Sequence, residues 1–191
     1  RWIRPIKNIL CVCDNKLIKF EFAGIKSNNH TYGNYNFSEK KIKYVDYNLY
    51  RDDLKKNYVI LDRSVRKKKI TEKIKKFCIR NDFLFDINNN VLKRVSDSVE
   101  YPNIFFGTFD KSFFELPDFL IENIITNKQD YFSFKDKKNN LTNKFCFISN
   151  IENKNKNKLV KGYENVLKAR FSDAKFFIEE DLKTKLFKRL N

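Results

Sequence analysis

Apolar side chains recur at three- and four-residue steps along the C-terminal stretch of the chain, and no other feature of the sequence restricts the fold as strongly. Such steps place side chains on one side of an α-helix, so the stretch predicts a long helix that packs through an apolar stripe. The Ser172-Asp173 pair is suited to a helix N-cap and predicts a break there. The series, which includes one arginine, comprises Tyr163, Val166, Leu167, Arg170, Phe171, Ala174, Phe177, Ile178, Leu182, Leu186 and Leu190.

Upstream of this helix, apolar runs alternate with turn residues. Residues 9–12 and 17–22 flank Asp14-Asn15-Lys16 and predict a β-hairpin, because these turn residues tolerate positive φ. Residues 27–36 are polar and predict a loop. Further strands are predicted at residues 58–61, 103–109, 131–134 and 144–149, and helices at residues 46–56, 64–80, 91–99 and 116–126.

Strands that come in hairpins, with helices between and after them, favour the α+β class. We expect antiparallel hairpins and a mixed sheet packed with helices, ending in the long C-terminal helix. Residues 152–158 form a charged, low-complexity link. The sequence therefore predicts an α+β domain over residues 1–150 and a helical segment over residues 151–191.

The chain is strongly basic, with a net charge of +16 from 40 Lys and Arg against 24 Asp and Glu. This balance indicates a polyanionic partner such as RNA, but a lysine-rich surface also follows from AT-rich codon usage. The segment after residue 63 concentrates the charge on a predicted helix. Its candidate nucleic-acid-binding residues are Arg66, Lys67, Lys69 and Lys73; the alternative is a solvated lysine face.

The sequence shows little of the chemistry that catalysis or metal binding needs. His30 is the only histidine and is predicted to be exposed in the loop. The cysteines Cys11, Cys13, Cys78 and Cys146 include no C-x-x-C pair, so we expect them to be reduced and buried, with no metal site. Glu179-Glu180-Asp181 is expected to pair with nearby lysines. No phosphate-binding loop, signal peptide or membrane-spanning run is predicted.

Several stretches, in order, resemble the beta subunit of the bacterial two-subunit glycyl-tRNA synthetase. Near the start, Trp2-Ile3-Arg4-Pro5-Ile6 and residues 20–33 are similar to a strand opening and a hairpin end of that family. Gly107-Thr108-Phe109-Asp110, followed by Phe113-Phe114-Glu115-Leu116-Pro117, is more specific. Residues 147–152 and 161–182 resemble the family most closely, through its Asn-Ile-Glu and Arg-Leu-x-Asp-Ala-x-Phe-Phe signatures.

The resemblance covers an N-terminal part of a longer subunit and implies a role in glycyl-tRNA aminoacylation in the cytoplasm. In this family the alpha subunit activates glycine with ATP and Mg²⁺, and the beta subunit binds tRNA(Gly) and completes the assembly. No catalytic residue and no cofactor are therefore expected in this chain. The region also looks similar to the editing-type domain of the phenylalanine enzyme's beta subunit. The alternative is a noncatalytic RNA-binding or scaffold remnant, because two family histidines, after Gly33 and before Tyr131, are replaced here.

Overall fold

A computed structural model describes residues 6–37, 41–151 and 155–183. The chain forms two compact units, Arg1–Arg66 and Lys67–Asn191. The predicted Trp2-Ile3-Arg4-Pro5 motif, part of the link at residues 152–158, and Leu186 and Leu190 lie outside the described residues. The boundary predicted near residue 150 stays a prediction.

The first unit combines short strands with one helix. A three-stranded mixed sheet has the order β1-β5-β4, in which β1 and β5 are parallel and β4 and β5 antiparallel. The antiparallel pairs β2–β3 and β6–β7 complete the strands. The bounds are β1 Ile9–Leu10, β2 Val12–Cys13, β3 Lys16–Leu17, β4 Glu21–Phe22, β5 Ile25–Asn28, β6 His30–Tyr32, β7 Lys41–Lys43 and helix α1 Tyr47–Lys56.

The predicted hairpin is confirmed, and its turn is tight. Asp14 and Asn15 have φ of 46° and 61°, so both central residues take the left-handed conformation that a two-residue hairpin favours. The helix predicted from residue 46 is also confirmed. Asp46 is its N-cap, and its side chain accepts a hydrogen bond from the Leu49 N–H at 2.9 Å.

The structure corrects two predictions in this unit. The loop predicted at residues 27–36 is confined to residues 33–36, because β6 and part of β5 lie before them and polar residues such as Ser27 and Asn28 pair through their backbones. Residues 58–61 are not a strand. Tyr58 has φ of 61°, and the Val59 N–H donates to the Leu54 carbonyl at 2.8 Å, so this segment closes the end of α1 instead.

The second unit is built on an antiparallel sheet of order β8-β10-β9. The predicted pairing of residues 131–134 with 144–149 is confirmed, since Phe132 stands opposite Cys146. A 3₁₀-helix, Lys111–Glu115, and a π-helical turn, Ile124–Lys128, were not predicted. Helix α2, Arg63–Asn81, begins in the first unit and continues in the second. The other bounds are α3 Asn89–Ser98, β8 Asn103–Thr108, α4 Asp118–Asn123, β9 Phe132–Lys135, β10 Leu141–Ser149 and α5 Lys156–Lys183.

Strand β10 separates two apolar clusters, because successive side chains of a strand point to opposite faces. Phe145 and Phe147 lie on one face and pack in a cluster with Leu167 and Phe171 of α5. Cys146 lies on the other face, in the cluster formed with α2 and α3. The unit therefore has a sheet with helices on both faces, and the α+β class with a long C-terminal helix is confirmed.

Helix α5 departs from the prediction in two ways. It runs without a break through Ser172 and Asp173. Phe171 is fully buried, but Phe177 is 63% exposed, so the prediction that Phe177 is a core residue is wrong. Three residues of an α-helix turn through only about 300°. Two successive three-residue steps from Phe171 therefore carry Phe177 about 120° away from the buried side.

Candidate nucleic-acid interface

Helix α2 carries all four candidate nucleic-acid-binding residues. The Ser64 N–H donates to Asp62 Oδ1 at 2.6 Å, and the hydrogen bonds from Ser64 hold the pKa of that carboxyl below its ordinary value. An ionised carboxylate at this end complements the helix dipole. Ile70, Ile74 and Cys78 are buried, which fixes the side of the helix that faces the sheet.

The structure does not place the four predicted residues on one face. The Arg66 guanidinium donates to the carbonyls of Ile60 at 2.5 Å and Leu61 at 2.8 Å, so it stabilises the backbone before the helix. Lys67 is half-buried, and it lies on the side of Ile70 and Ile74 because it precedes them by three and seven residues. Lys69 and Lys73 lie on another side of the helix.

A straighter row of charge is visible once the buried side is known. Lys69, Lys73, Lys76 and Arg80 follow each other at steps of four, three and four, so they fall in one line along α2. We call these four residues the basic stripe. Lys76 and Arg80 were not among the predicted nucleic-acid-binding residues, although the step pattern was available as a signal. The only acidic residue of α2 is Glu72, whose carboxylate lies 4.0 Å from Lys68 Nζ.

The first residue of the basic stripe is held by an aromatic ring. Lys69 Nζ lies 3.6 Å from the centroid of the Tyr101 ring, within the range of a cation–π interaction. The backbone N–H groups of Glu100 and Tyr101 both donate to Asn150 Oδ1, at 3.1 and 3.0 Å. Asn150 thus fixes the backbone that presents the ring to Lys69.

Residues of the Gly107-Thr108-Phe109-Asp110 segment stabilise the packing of neighbouring elements. Glu164 Oε1 accepts hydrogen bonds from the Thr108 N–H at 2.9 Å and from Thr108 Oγ1 at 3.2 Å, which joins α5 to β8. At Gly107 an added Cβ would lie 2.7 Å from Phe145 Cζ. Asp110 caps the 3₁₀-helix through Ser112. These motifs therefore secure the packing of α5 on the sheet.

The histidine and three of the cysteines are partly or fully buried. His30 is in β6 and half-buried, not in an exposed loop as predicted, and burial together with Lys41 and Lys43 lowers its pKa. Cys78 and Cys146 are buried, and burial raises the pKa of both thiols. Cys13 is exposed, which corrects the expectation that all four cysteines are buried.

In the Glu179-Glu180-Asp181 segment near the end of α5, Glu180 forms an ion pair with Lys183. Within residues 6–37, 41–151 and 155–183, no group of three or more His, Cys, Asp or Glu side chains is placed to hold a metal ion. No helix in the same described part of the chain is long and apolar enough to cross a membrane.

Comparison with known proteins adds a family to this geometry. A protein-family model described as the glycyl-tRNA synthetase beta subunit matches residues 1–191. The match places the chain in the class of aminoacyl-tRNA synthetase subunits. More particularly, the chain belongs to the glycyl-tRNA synthetase beta subunit family, as the resemblance predicted.

Three curated relatives, each named as a glycine–tRNA ligase beta subunit, show the extent of the similarity. The protein of Rickettsia conorii is 33% identical over 190 residues, which is 100% of this chain and 29% of the relative. That of Dictyoglomus thermophilum is 36% identical over 185 residues, 97% of this chain and 27% of the relative. That of Thermodesulfovibrio yellowstonii is 35% identical over 183 residues, 96% and 27%. The chain thus spans little more than a quarter of these relatives.

Proposed function

We propose that the chain is a noncatalytic part of a glycine–tRNA ligase, and that it offers a basic surface to tRNA(Gly) and assembles with an alpha subunit. The membership of the chain in the beta subunit family carries the proposal. The net charge of +16 and the basic stripe support the contact with RNA. ATP and Mg²⁺ would be bound by the alpha subunit, and the complex would work in the cytoplasm.

The length of the basic stripe and the chemistry of its side chains both suit a phosphate backbone. At a rise of about 1.5 Å per residue, Lys69 and Arg80 are separated by about 16 Å along the helix, enough to follow several phosphates. Arg80 offers a planar fork of donors, whereas Lys73 and Lys76 offer mobile point charges. Each neutralised phosphate releases counterions, so binding through the stripe would be sensitive to salt.

Charge reversal within the basic stripe tests the RNA contact. We expect a double variant, Lys73→Glu with Lys76→Glu, to bind tRNA more weakly than the unmodified chain. The slope of log K against log salt concentration should also fall by about 0.7–0.9 for each phosphate that the variant no longer neutralises. Fluorescence anisotropy with labelled tRNA(Gly), repeated at several salt concentrations, measures both quantities.

Two further variants make this test specific. Lys158→Glu with Lys168→Glu introduces the same charge change on exposed positions of α5 and should retain most of the salt slope. Lys67 was predicted from the sequence to bind nucleic acid, but it lies off the basic stripe. The variant Lys67→Glu therefore tests whether tRNA is bound by the residues predicted from the sequence or by the basic stripe. Equal weakening by the stripe and α5 pairs would show that only net charge matters.

Assembly with the alpha subunit needs a separate measurement. We expect the chain to co-elute with the alpha subunit of a related glycine–tRNA ligase in size-exclusion chromatography. If the chain binds tRNA but not the alpha subunit, the alternative of a noncatalytic RNA-binding or scaffold remnant is favoured. If it binds neither, the proposed function is wrong.

A further inference from the structure

An open groove in the first unit is lined largely by aromatic and acidic side chains. Its volume is about 360 Å³. Among the described residues no lysine or arginine lines it, although the chain as a whole has a net charge of +16. The groove therefore differs in chemistry from the basic surface around α2. The aromatic and acidic residues of its wall are Tyr44, Tyr47, Tyr50, Asp14 and Asp46.

Three tyrosine rings meet at this groove because they follow each other at three-residue steps. Tyr47 and Tyr50 lie one turn apart on α1, and Tyr44 precedes the helix. The rings of Tyr44 and Tyr50 are 5.1 Å apart between centroids, with 82° between their planes. The ring of Tyr47 is tilted by 43° to that of Tyr50, at 6.4 Å. Rings at such angles form adjoining walls, as in the aromatic cages that bind methylated ammonium groups.

Two of the three rings are held in place. Tyr44 is buried, and its N–H donates to the Asn29 carbonyl at 2.7 Å, while the Tyr50 N–H donates to the Asp46 carbonyl at 3.1 Å. Burial raises the pKa of both phenols above 10, so the rings stay neutral and act through their π faces. The Tyr44 hydroxyl has no hydrogen-bond partner within the described residues. An unsatisfied buried hydroxyl is costly, so packing alone would be served better by phenylalanine.

The two carboxylates at the groove are positioned by a turn and by a helix cap. Asp14 lies in the hairpin turn between β2 and β3, with φ of 46°. Asp46 Oδ1 accepts a hydrogen bond from the Leu49 N–H at 2.9 Å. This negative charge offsets the positive end of the α1 dipole, so the start of the helix does not repel a cation in the groove.

We propose that this groove binds a quaternary ammonium group. The faces of tyrosine rings attract cations, most strongly where the cation is desolvated. Leu10 and Val12 make another part of the wall apolar. A primary ammonium needs acceptors for three N–H donors, whereas a quaternary group donates no hydrogen bond and suits a wall of rings and apolar side chains. The proposal goes beyond contact with tRNA and with an alpha subunit, and it depends on neither.

Titration of the ¹⁵N-labelled chain with choline, followed by NMR at constant ionic strength, tests the proposal. We expect saturable shifts confined to amides near residues 12–15 and 44–50. The matched ligand is 3,3-dimethyl-1-butanol, in which a neutral carbon replaces the nitrogen of choline. It should bind at least about fivefold more weakly, because it has the same shape but no charge for the rings to attract.

Variants of the wall separate the attraction of the rings from that of the carboxylates. Tyr47 is 66% exposed, so Tyr47→Leu should leave the fold intact and weaken choline binding about fivefold, whereas Tyr47→Phe should retain it. Asp46→Asn removes a charge but keeps a good N-cap, and it should weaken binding about threefold. Tyr35→Leu and Asp52→Asn are the matched controls, because both residues are exposed in the same unit and neither lines the groove.

A further comparison identifies where the quaternary group comes from, because choline and a trimethylated lysine side chain both carry one. A peptide containing trimethyllysine that binds more tightly than choline, while the unmethylated peptide does not bind, would assign the group to a protein partner. Tighter binding of choline would assign it to a free small molecule.

Three results would overturn the proposal. One is the absence of saturable shifts with choline and with the trimethyllysine peptide at concentrations up to about 10 mM, ten times a millimolar Kd. Another is an equal response to choline and to its neutral analogue, which would show a merely apolar groove. The third is choline binding that is unchanged in both Tyr47→Leu and Asp46→Asn while their spectra show an intact fold.

Discussion

Phe171 lies fully buried between two aromatic rings, with centroid distances of 5.0 Å to Phe109 and 5.2 Å to Phe113, whereas Phe177 on the same helix is 63% exposed. Truncating a packed phenylalanine costs about 3–5 kcal/mol, because transfer energy is forfeited and a cavity is left behind. We expect Phe171→Ala to lower the free energy of unfolding by this amount, and urea unfolding measures it.

Phe177→Ala is the matched control for this prediction. An exposed side chain contributes little, so we expect its truncation to change the free energy of unfolding by no more than about 0.5 kcal/mol. Equal destabilisation by the two variants would mean that Phe177 is covered in solution, for example by association of two chains.

His30 gives the fold a pH dependence of its own. It is the only histidine, and it stands opposite Lys43 in the β6–β7 pair. Burial and the charges of Lys41 and Lys43 lower its pKa below 6.5 in the folded chain. The unfolded chain therefore binds the proton more tightly, and the contribution of the neutral ring is complete above pH 6.5 and is lost as pH falls through the folded pKa.

We expect His30→Gln to flatten this part of the stability profile. The measurement is urea unfolding of both chains at a series of pH values below and above 6.5. Because carboxylates also titrate at lower pH, the informative quantity is the difference in the free energy of unfolding between the unmodified chain and His30→Gln at each pH. A difference that stays constant from pH 5 to pH 8 would contradict the assigned pKa shift.

At the scale of elements, the close approach of α5, β8 and β10 depends on Gly107 having no side chain. An added Cβ would lie 2.7 Å from Cζ of the fully buried Phe145 and 3.3 Å from Glu164 Cγ. We expect Gly107→Ala to destabilise the chain by about 1–3 kcal/mol through overpacking. Thermal or urea unfolding checks this value.

Gly162 provides the opposite case within α5. Nothing lies within 4 Å of a Cβ added there, and the residue is inside a regular helix. Gly162→Ala should therefore stabilise the chain by about 0.5–1 kcal/mol, because alanine loses less backbone entropy on folding. A stabilising effect at Gly107 instead would show that Phe145 moves aside freely.

At the scale of the whole molecule, the sequence contains neither of the glycine-rich motifs, G-x-x-x-x-G-K-[ST] and G-x-G-x-x-G, that bind nucleotide phosphates. Its glycines, Gly24, Gly33, Gly107 and Gly162, are widely separated, so no Gly-rich loop can cradle phosphates. We expect the purified chain to show no glycine-dependent ATP–pyrophosphate exchange. A complete glycine–tRNA ligase serves as the positive control, and exchange by the chain alone would refute the expectation.

The two compact units also show where sequence reasoning succeeded and failed. Helices α2 and α5 were predicted because their apolar residues recur with the helical period, and the β9–β10 pairing because two apolar runs flank a polar connection. The strands at residues 25–32 were missed, since their polar side chains carry no apolar alternation and backbone pairing alone holds them. The strand at residues 58–61 was wrong because four apolar residues fit several structures.

The sequence by itself determined the α+β class, the family and the concentration of lysine on α2, because periodicity, motif order and charge are properties of the chain in one dimension. The tertiary structure decided which side of each helix is buried. It showed that Arg66 bonds to backbone carbonyls, that Lys69 lies over Tyr101 and that Phe177 faces outward. A helical step fixes only relative angles between side chains, whereas the buried direction depends on where the sheet lies.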